Sequence, residues 1–199
     1  MANILHVISS PRGEASNSIK LGNAIVDKLR EQDTASAVVV KDLTQGPFPH
    51  LEVAHLNAFF TPAEQHTEEN KAAIRHSNEA IQEIFNADVI VIGAPMYNFG
   101  ISSTLKAWID HIARAGITFK YTANGAVGLI SNKKVYLAVT TGGVYSSGDY
   151  AAFDFLTPYL KFVLGFLGIT YVTVVRGEGF AVEGLKDKAL DKAIDSITV

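Results

Sequence analysis

The sequence contains no cysteine among its 199 residues. That absence excludes disulfide bonds, thiolate zinc sites, iron–sulfur clusters, CxxC redox motifs and a cysteine nucleophile. Any redox chemistry must therefore come from a bound cofactor. Charge is also scarce, because charged residues make up 19% of the chain and the formal net charge is −3. A polybasic protein that binds nucleic acid is not expected from this balance.

Long hydrophobic runs are missing as well. The apolar segment at residues 4–8 has no basic region before it and ends at Ser9-Ser10-Pro11, so it is too short for a signal peptide. Residues 89–94 form another apolar run, far below the ~18 residues of a membrane-spanning helix. We expect a cytoplasmic protein without a membrane partner, folded as one domain over residues 1–199.

Several common site motifs are absent from the sequence. There is no GxxxxGK[ST] phosphate loop, no GxSxG nucleophile elbow and no HExxH pair among the six histidines, so no metal site is expected. No GxGxxG follows the first predicted strand. The nearest match, Gly177-Glu178-Gly179, has Val182 at the third glycine position and follows the last strand. A dinucleotide-binding Rossmann site is therefore disfavoured.

What the sequence does contain is an alternation of strands and helices. Short β-branched or apolar runs predict strands over residues 4–8, 37–42, 89–94, 135–140 and 170–175. Apolar residues at helical spacing predict helices from residue 18 to about 29, and over residues 68–85 (with Phe85 inward), 102–112, 153–167 and 184–197. Gly46-Pro47-Phe48-Pro49 breaks the chain before a long connection over residues 51–67. Asn124-Gly125 predicts a hairpin or turn between strands at residues 118–121 and 128–130.

Five strands that alternate with helices predict an α/β fold, a doubly wound parallel sheet with helices on both faces. The flavodoxin-like order 2-1-3-4-5 is the most economical topology for five strands. Ligands of such sheets bind at the carboxyl ends of the strands, at the switch point between the first and third strands. The loops after strands one, three and four are therefore expected to form the site: residues 9–18, 94–102 and 140–150.

The first of these loops has the composition of a phosphate cradle. It offers the hydroxyl and amide side chains of Ser10, Ser16, Asn17 and Ser18 at the start of a helix, where free backbone N–H groups favour an anion. A serine-rich turn with a helix cap is the equally weighted structural alternative.

The other two loops favour a flat aromatic ligand. Pro95, Met96, Tyr97, Asn98 and Phe99 place apolar rings at the mouth of the expected crevice, with the Asn98 amide available to an imide-like edge. Thr140-Thr141-Gly142-Gly143 follows the fourth strand, and its glycines let backbone N–H groups approach a ring edge. The alternatives are rings that cap the core and an ordinary glycine turn.

These segments together resemble the FMN-dependent NADH-azoreductases, which are flavodoxin-like reductases of quinones and azo compounds. The resemblance runs through Ala94-Pro95-Met96-Tyr97-Asn98-Phe99, the serine loop, Thr140-Thr141-Gly142-Gly143, Ala113 to Tyr121 and Pro158 to Phe162. It implies non-covalent FMN, with the phosphate on Ser10 and Ser16 to Ser18 and the ring on Pro95 to Phe99 and Thr140 to Gly143. It also implies a homodimer with active sites at the subunit interface, and substrate pockets lined by Phe119, Tyr121 and Phe162.

The activity that the resemblance implies is two-electron hydride transfer from NADH to a quinone or azo compound, with the azo bond cleaved to two amines. Donor and acceptor would share one face of the flavin, which predicts ping-pong kinetics. No acid–base pair is assigned, and Tyr145 is a candidate proton donor. The alternative function is a flavodoxin-type electron carrier without its own substrate. A flavin-free regulator is disfavoured, because the acidic cluster of such proteins is missing after the first strand.

Overall fold

A computed structural model describes residues 1–46 and 48–199, and its central feature is a five-stranded parallel sheet. Pro47, part of the expected chain break, lies outside the described residues. The strands and helices follow one another along the chain as β1 (Asn3–Ile8), α1 (Asn17–Gln32), β2 (Ala37–Asp42), α2 (Val53–Phe60), α3 (Glu68–Ala73), α4 (Arg75–Asn86), β3 (Val89–Pro95), α5 (Ser103–Ile112), β4 (Phe119–Thr122), β5 (Gly125–Gly128), β6 (Lys134–Thr141), α6 (Leu156–Phe166), β7 (Tyr171–Glu178) and α7 (Ala189–Asp195).

The strand order is β2-β1-β3-β6-β7, with β1, β3 and β6 in the middle and every pairing parallel. Because β4 and β5 form a separate antiparallel hairpin, this order is the predicted 2-1-3-4-5 with the hairpin inserted before the fourth strand. The flavodoxin-like doubly wound fold is thus confirmed. Along the described residues, no helix has the length and apolar character needed to cross a bilayer.

Helices cover both faces of the sheet, and this explains why the run of apolar residues in β3 is unbroken. Ile90 and Ile92 belong to a buried cluster with Trp108 of α5, whereas Val89 and Val91 belong to a second cluster with α1 and α7. Successive strand side chains point to opposite faces, so a strand covered on both sides must be apolar throughout. All seven residues of β3 are buried.

The region between β2 and β3 differs from the prediction. The expected irregular connection over residues 51–67 contains α2, whose first turn is closed by a capping box between Glu52 and His55. The single helix expected over residues 68–85 is interrupted at Ile74, which leaves helical geometry with φ −94° and ψ 6° and is buried. Phe85, which was expected to point inward, is 38% exposed. The buried face of α4 is formed by Ser77, Ala80, Ile81 and Ile84, and Phe85 lies outside this set near the end of the helix.

Three further boundaries were wrong. The helix expected from residue 153 begins at Leu156, because Asp154 Oδ1 accepts the N–H groups of Leu156 and Thr157 and residues Asp149–Phe153 form a 3-10 turn. The closing helix covers only Ala189–Asp195 rather than residues 184–197. The hairpin is confirmed, but its second strand is Gly125–Gly128 instead of residues 128–130.

One buried imidazole links β1 to α1. His6 is 2% exposed, and a Cβ added to Gly22 of α1 would lie 2.5 Å from its Nε2, so the ring packs directly on the helix backbone. Among the described residues, that Nε2 atom has no hydrogen-bond partner. Burial lowers the pKa of His6 from 6.5 to about 4, because the charged imidazolium loses its hydration.

This burial predicts acid sensitivity. As the pH falls, His6 is protonated in the unfolded chain before it is protonated in the folded protein. The contribution of neutral His6 to the free energy of unfolding is therefore fully present above about pH 6.5 and is lost as the pH drops towards 4. Between pH 7 and 4 the loss amounts to about 3 kcal/mol. Urea unfolding at pH 7 and at pH 4 gives the loss of unfolding free energy for the wild type and for a His6→Leu variant. The difference between these two losses is the contribution of His6. Equal losses in both proteins would contradict the assignment.

Candidate functional site

A cleft lies at the carboxyl ends of β1, β3 and β6, where the three predicted loops meet. All three loops contribute to its lining, through Ser10, Ser16, Asn17, Pro95, Met96, Tyr97, Thr140, Thr141 and Gly142. The geometry therefore brings together most of the residues expected to hold a cofactor.

The first loop is organised around the N-terminus of α1. Ser16 is the N-cap of this 16-residue helix, and its Oγ accepts a hydrogen bond from the Ile19 N–H at 3.5 Å. Its Oγ also lies 3.0 Å from the Oγ of Ser18. Ser10 is 1% exposed, and its Oγ accepts the Arg12 N–H at 3.4 Å.

This end of the cleft suits a phosphate. The first-turn N–H groups of an α-helix have no partner within the helix, and they carry the positive end of its dipole. Arg12 is the only charged side chain among the described residues that line the cleft, and no carboxylate lines it. Hydroxyl groups, open N–H groups and one guanidinium form a donor set for an anion. The residues present thus fit the phosphate of FMN.

The second loop is a tight turn in an uncommon backbone conformation. Tyr97 and Gly100 exchange both of their backbone hydrogen bonds, at 2.9 and 3.0 Å, and the residues between them, Asn98 and Phe99, have φ angles of 48° and 70°. Two successive positive φ values are those of a type I′ turn, and a positive φ is costly for a bulky residue such as Phe99. Strain of this kind is concentrated at functional sites.

Asn98 and Phe99 themselves lie beyond the main cleft. Asn98 lines an adjoining cavity together with Pro11 and Lys106, and Tyr97 forms the wall between this cavity and the main cleft. Phe99 is 48% exposed, and its ring meets that of Tyr145 at a centroid distance of 6.3 Å. A flat ligand could contact these two residues only by extending past Tyr97.

The third loop is held by the chain that follows β7. Gly143 O accepts hydrogen bonds from Thr141 Oγ1 at 2.8 Å and from the Gly179 N–H at 3.0 Å, and Gly142 O accepts the Ala181 N–H at 2.8 Å. Phe180 and Ala181 also line the cleft. Sequence reasoning missed both, although the glycines of Gly177-Glu178-Gly179, at the carboxyl end of β7, were a signal that the chain after this strand also reaches that edge.

The remaining predicted residues lie elsewhere. Ser18 is buried beside Ser16, and Gly143 follows the lining residue Gly142. Phe119 is 9% exposed and packs on Phe166 at a centroid distance of 4.6 Å. Tyr121 and Phe162 are 72% and 75% exposed. None of these three aromatic residues belongs to the part of the described chain that lines the cleft.

Comparison with known proteins agrees with this architecture. A family model described as flavodoxin-like fold matches residues 2–198. An FMN-dependent NADH:quinone oxidoreductase of Herminiimonas arsenicoxydans is 50% identical over 199 residues, covering 99% of this chain and 97% of that protein. The crystal structure of an azoreductase from Bacillus anthracis Sterne superposes with a TM-score of 0.87 at 32% identity, covering 98% of both chains.

A further solved structure contains the cofactor. It is that of an FMN-dependent NADH-azoreductase from Bacillus anthracis Ames Ancestor in complex with FMN, with a TM-score of 0.87, 27% identity and coverage of 98% of this chain and 97% of that one. The fold and these matches over nearly the full length lead to one conclusion: the chain belongs to the flavodoxin-like family.

Proposed function

We propose that this protein is an FMN-dependent NADH oxidoreductase that reduces quinones and azo compounds. The observation that carries the proposal is the convergence, in one cleft, of a helix N-terminus bearing serines, an apolar loop with Met96 and Tyr97, and the Thr140–Gly142 backbone. The names of the relatives support an enzyme over an electron carrier, since they specify FMN, NADH and a quinone or azo substrate.

The residues that would hold FMN divide by chemistry. Of the residues that line the cleft, Ser10, Ser16 and Asn17 would bind the phosphate with the first-turn N–H groups of α1, and Pro95 to Tyr97 and Thr140 to Gly142 would contact the ring. Ser18, Asn98, Phe99 and Gly143 adjoin this lining without being part of it, and they would contact the parts of FMN that extend beyond it. Bound FMN supplies the hydride chemistry that connects NADH to a two-electron acceptor. The whole chain, residues 1–199, would act as one FMN-binding domain, working in the cytoplasm, where NADH is supplied.

The contribution of the chain itself would be positioning. Hydride transfer requires the two rings at contact distance, and loops fixed by backbone hydrogen bonds can maintain that geometry. Backbone N–H groups of the Gly142–Gly143 segment would stabilise negative charge on a reduced ring. Tyr145, whose ring lies beside that of Phe99, stays the candidate proton donor.

The reaction is tested by NADH oxidation with purified protein, FMN and a benzoquinone. We expect turnover that needs both FMN and the quinone, with parallel double-reciprocal lines because donor and acceptor take turns at one site. Supplying an azo dye in place of the quinone should yield its two amines for two NADH consumed. An electron carrier would bind FMN but turn over negligibly with NADH, and this result would reject the enzyme.

We further propose that the active protein is a homodimer with its sites at the subunit interface. Phe60, Tyr121 and Phe162 are aromatic side chains that each have at least 72% of their surface exposed. Contact with a second copy of the chain would remove such apolar surface from water. Tyr121 and Phe162 do not line the cleft of their own chain, so as substrate-binding residues they would have to serve the partner's cleft.

A positive charge in place of Phe162 should separate the subunits. We expect Phe162→Lys to be monomeric by light scattering and to lose most of its quinone reductase activity, because a lysine cannot be buried in an apolar interface without a partner. Val40→Lys is the matched control: Val40 is 57% exposed and lies on β2, at the opposite edge of the sheet from β7, whereas Phe162 lies on the helix that precedes β7. A monomeric wild-type protein with full activity would contradict the dimer.

A further inference from the structure

A partly buried charge network lies at the end of β7, between the loop after β6 and the start of α6. Arg176 Nη2 donates to Asp154 Oδ2 at 2.6 Å and to Thr157 Oγ1 at 2.7 Å, and its Nη1 lies 3.5 Å from Glu178 Oε1. The side chains of Asp154, Glu178 and Arg176 are 6%, 13% and 23% exposed. Arg176 and Glu178 are two residues apart on one strand, so they share a face of the sheet.

Each carboxylate of this network also holds a backbone segment. Asp154 Oδ1 accepts the N–H groups of Leu156 and Thr157 at 3.1 and 2.9 Å and so caps α6. Glu178 Oε1 accepts the N–H of Tyr145 at 2.8 Å, in the loop after β6. Burial opposes ionisation of Asp154, but the Thr157 N–H and the Arg176 guanidinium outweigh it, and the pKa of Asp154 lies below its usual value.

The network thereby joins two loops of the candidate site. Glu178 holds the loop that contains Gly142 and Gly143, through the Tyr145 amide. At the start of α6, the N–H of Phe155 donates to Phe99 O at 3.2 Å, so the helix capped by Asp154 is tied to the loop after β3. The rings of Phe99 and Tyr145 meet edge-on at this junction.

The hydrogen bond from Tyr145 differs from the others that hold its loop. Gly142 and Gly143 are tied to the chain after β7 by backbone pairs, which a side-chain substitution leaves intact. The Tyr145 amide depends on a single carboxylate, and a bond to an ionised acceptor is about twice as strong as a neutral one. Removal of that carboxylate would release the end of the loop at Tyr145 and leave Arg176 bound to Asp154 and Thr157.

We propose that Glu178 is a positioning residue for the flavin site: held by Arg176, its carboxylate fixes the Tyr145 amide and thereby the Gly142–Tyr145 loop against the ring of the cofactor. The inference rests on the proposed function, because the loop matters in this way only if it contacts FMN. Glu178 would touch neither FMN nor substrate, because it does not line the cleft and its Oε1 is turned to the Tyr145 N–H and the Arg176 guanidinium.

The test compares FMN affinity across three variants, by titration of flavin fluorescence and by the visible circular dichroism of the bound flavin. We expect Glu178→Ala to bind FMN about tenfold more weakly, with an altered dichroism band, because the loop loses its ionised acceptor. Glu178→Gln keeps an amide oxygen for the Tyr145 N–H and should remain within about threefold of wild type. Glu183→Gln, a carboxylate 88% exposed in the segment after β7, should be unchanged.

Each outcome bears on the inference. A Glu178→Ala protein that melts earlier but binds FMN as wild type, with the same dichroism, would show a purely structural role and overturn it. Should that variant fail to fold, Glu178→Asp, which retracts the carboxylate by one methylene, must show the loss of affinity instead. A wild-type protein that takes up no FMN overturns the proposed function and this inference together, whereas wild-type uptake with unaffected Glu178 variants rejects the inference alone.

Discussion

Replacing Ser16 with aspartate should weaken FMN binding by about 100-fold while α1 stays capped. Ser16 Oγ accepts the Ile19 N–H at the start of the helix, and aspartate caps helices as well as serine does. The same carboxylate, however, would lie beside Ser18 at the position proposed for the FMN phosphate. Two anions at one helix N-terminus repel each other strongly in a partly buried site.

Riboflavin distinguishes this effect from a general disturbance. It has the same ring as FMN but no phosphate, so its affinity for Ser16→Asp should equal that for wild type. Ser16→Ala provides the complementary case, because it loses the cap and about 1 kcal/mol of stability but adds no charge. Titration with FMN and with riboflavin measures the two affinities of each variant, and urea unfolding measures its stability. If Ser16→Asp binds FMN and riboflavin with wild-type affinity, the phosphate does not lie at this helix.

The location of the cleft could be predicted from the sequence because it follows from topology. The run of β-branched residues Val89–Ile92 identifies a strand buried on both faces, and five parallel strands joined by right-handed crossovers leave few possible orders. Parallel strands bring their carboxyl ends to one edge, so the loops after β1, β3 and β6 had to meet. Composition then distinguished the serine loop from the aromatic one before any contact was known.

The features that sequence reasoning missed depend on contacts between distant segments. Phe180 and Ala181 line the cleft because backbone hydrogen bonds draw the chain after β7 across the Gly142 loop. The glycines at the end of β7 indicated that this chain reaches the carboxyl edge, but no local pattern specifies the loop with which it pairs. The ion pair between Arg176 and Asp154 joins residues 22 positions apart. The interruption between α3 and α4 at Ile74 could not be predicted for a similar reason. The residues on both sides of Ile74 favour a helix, and Ile74 is buried by tertiary packing.

Replacing Gly128 with alanine should destabilise the protein by about 3 kcal/mol or more. A Cβ at this position would lie 2.1 Å from Gly168 N and 2.2 Å from Leu167 C, which are backbone atoms without a rotamer to change. The end of the β4–β5 hairpin here packs directly on the chain after α6, where Gly168 has a φ of +102° and the Ile130 N–H donates to Leu167 O at 2.9 Å.

Gly165→Ala is the matched control in the same region. It lies in α6, nothing is within 4 Å of its added Cβ, and an alanine in a helix is favoured over glycine by about 0.5–1 kcal/mol. Urea unfolding can be followed by the fluorescence of Trp108, the only tryptophan. The urea concentration at the unfolding midpoint should fall for Gly128→Ala and rise for Gly165→Ala. Because the hairpin carries Phe119 and Tyr121, Gly128→Ala should also impair quinone reduction in the protein that remains folded. Equal stability of the two variants would mean that the hairpin does not pack against the end of α6.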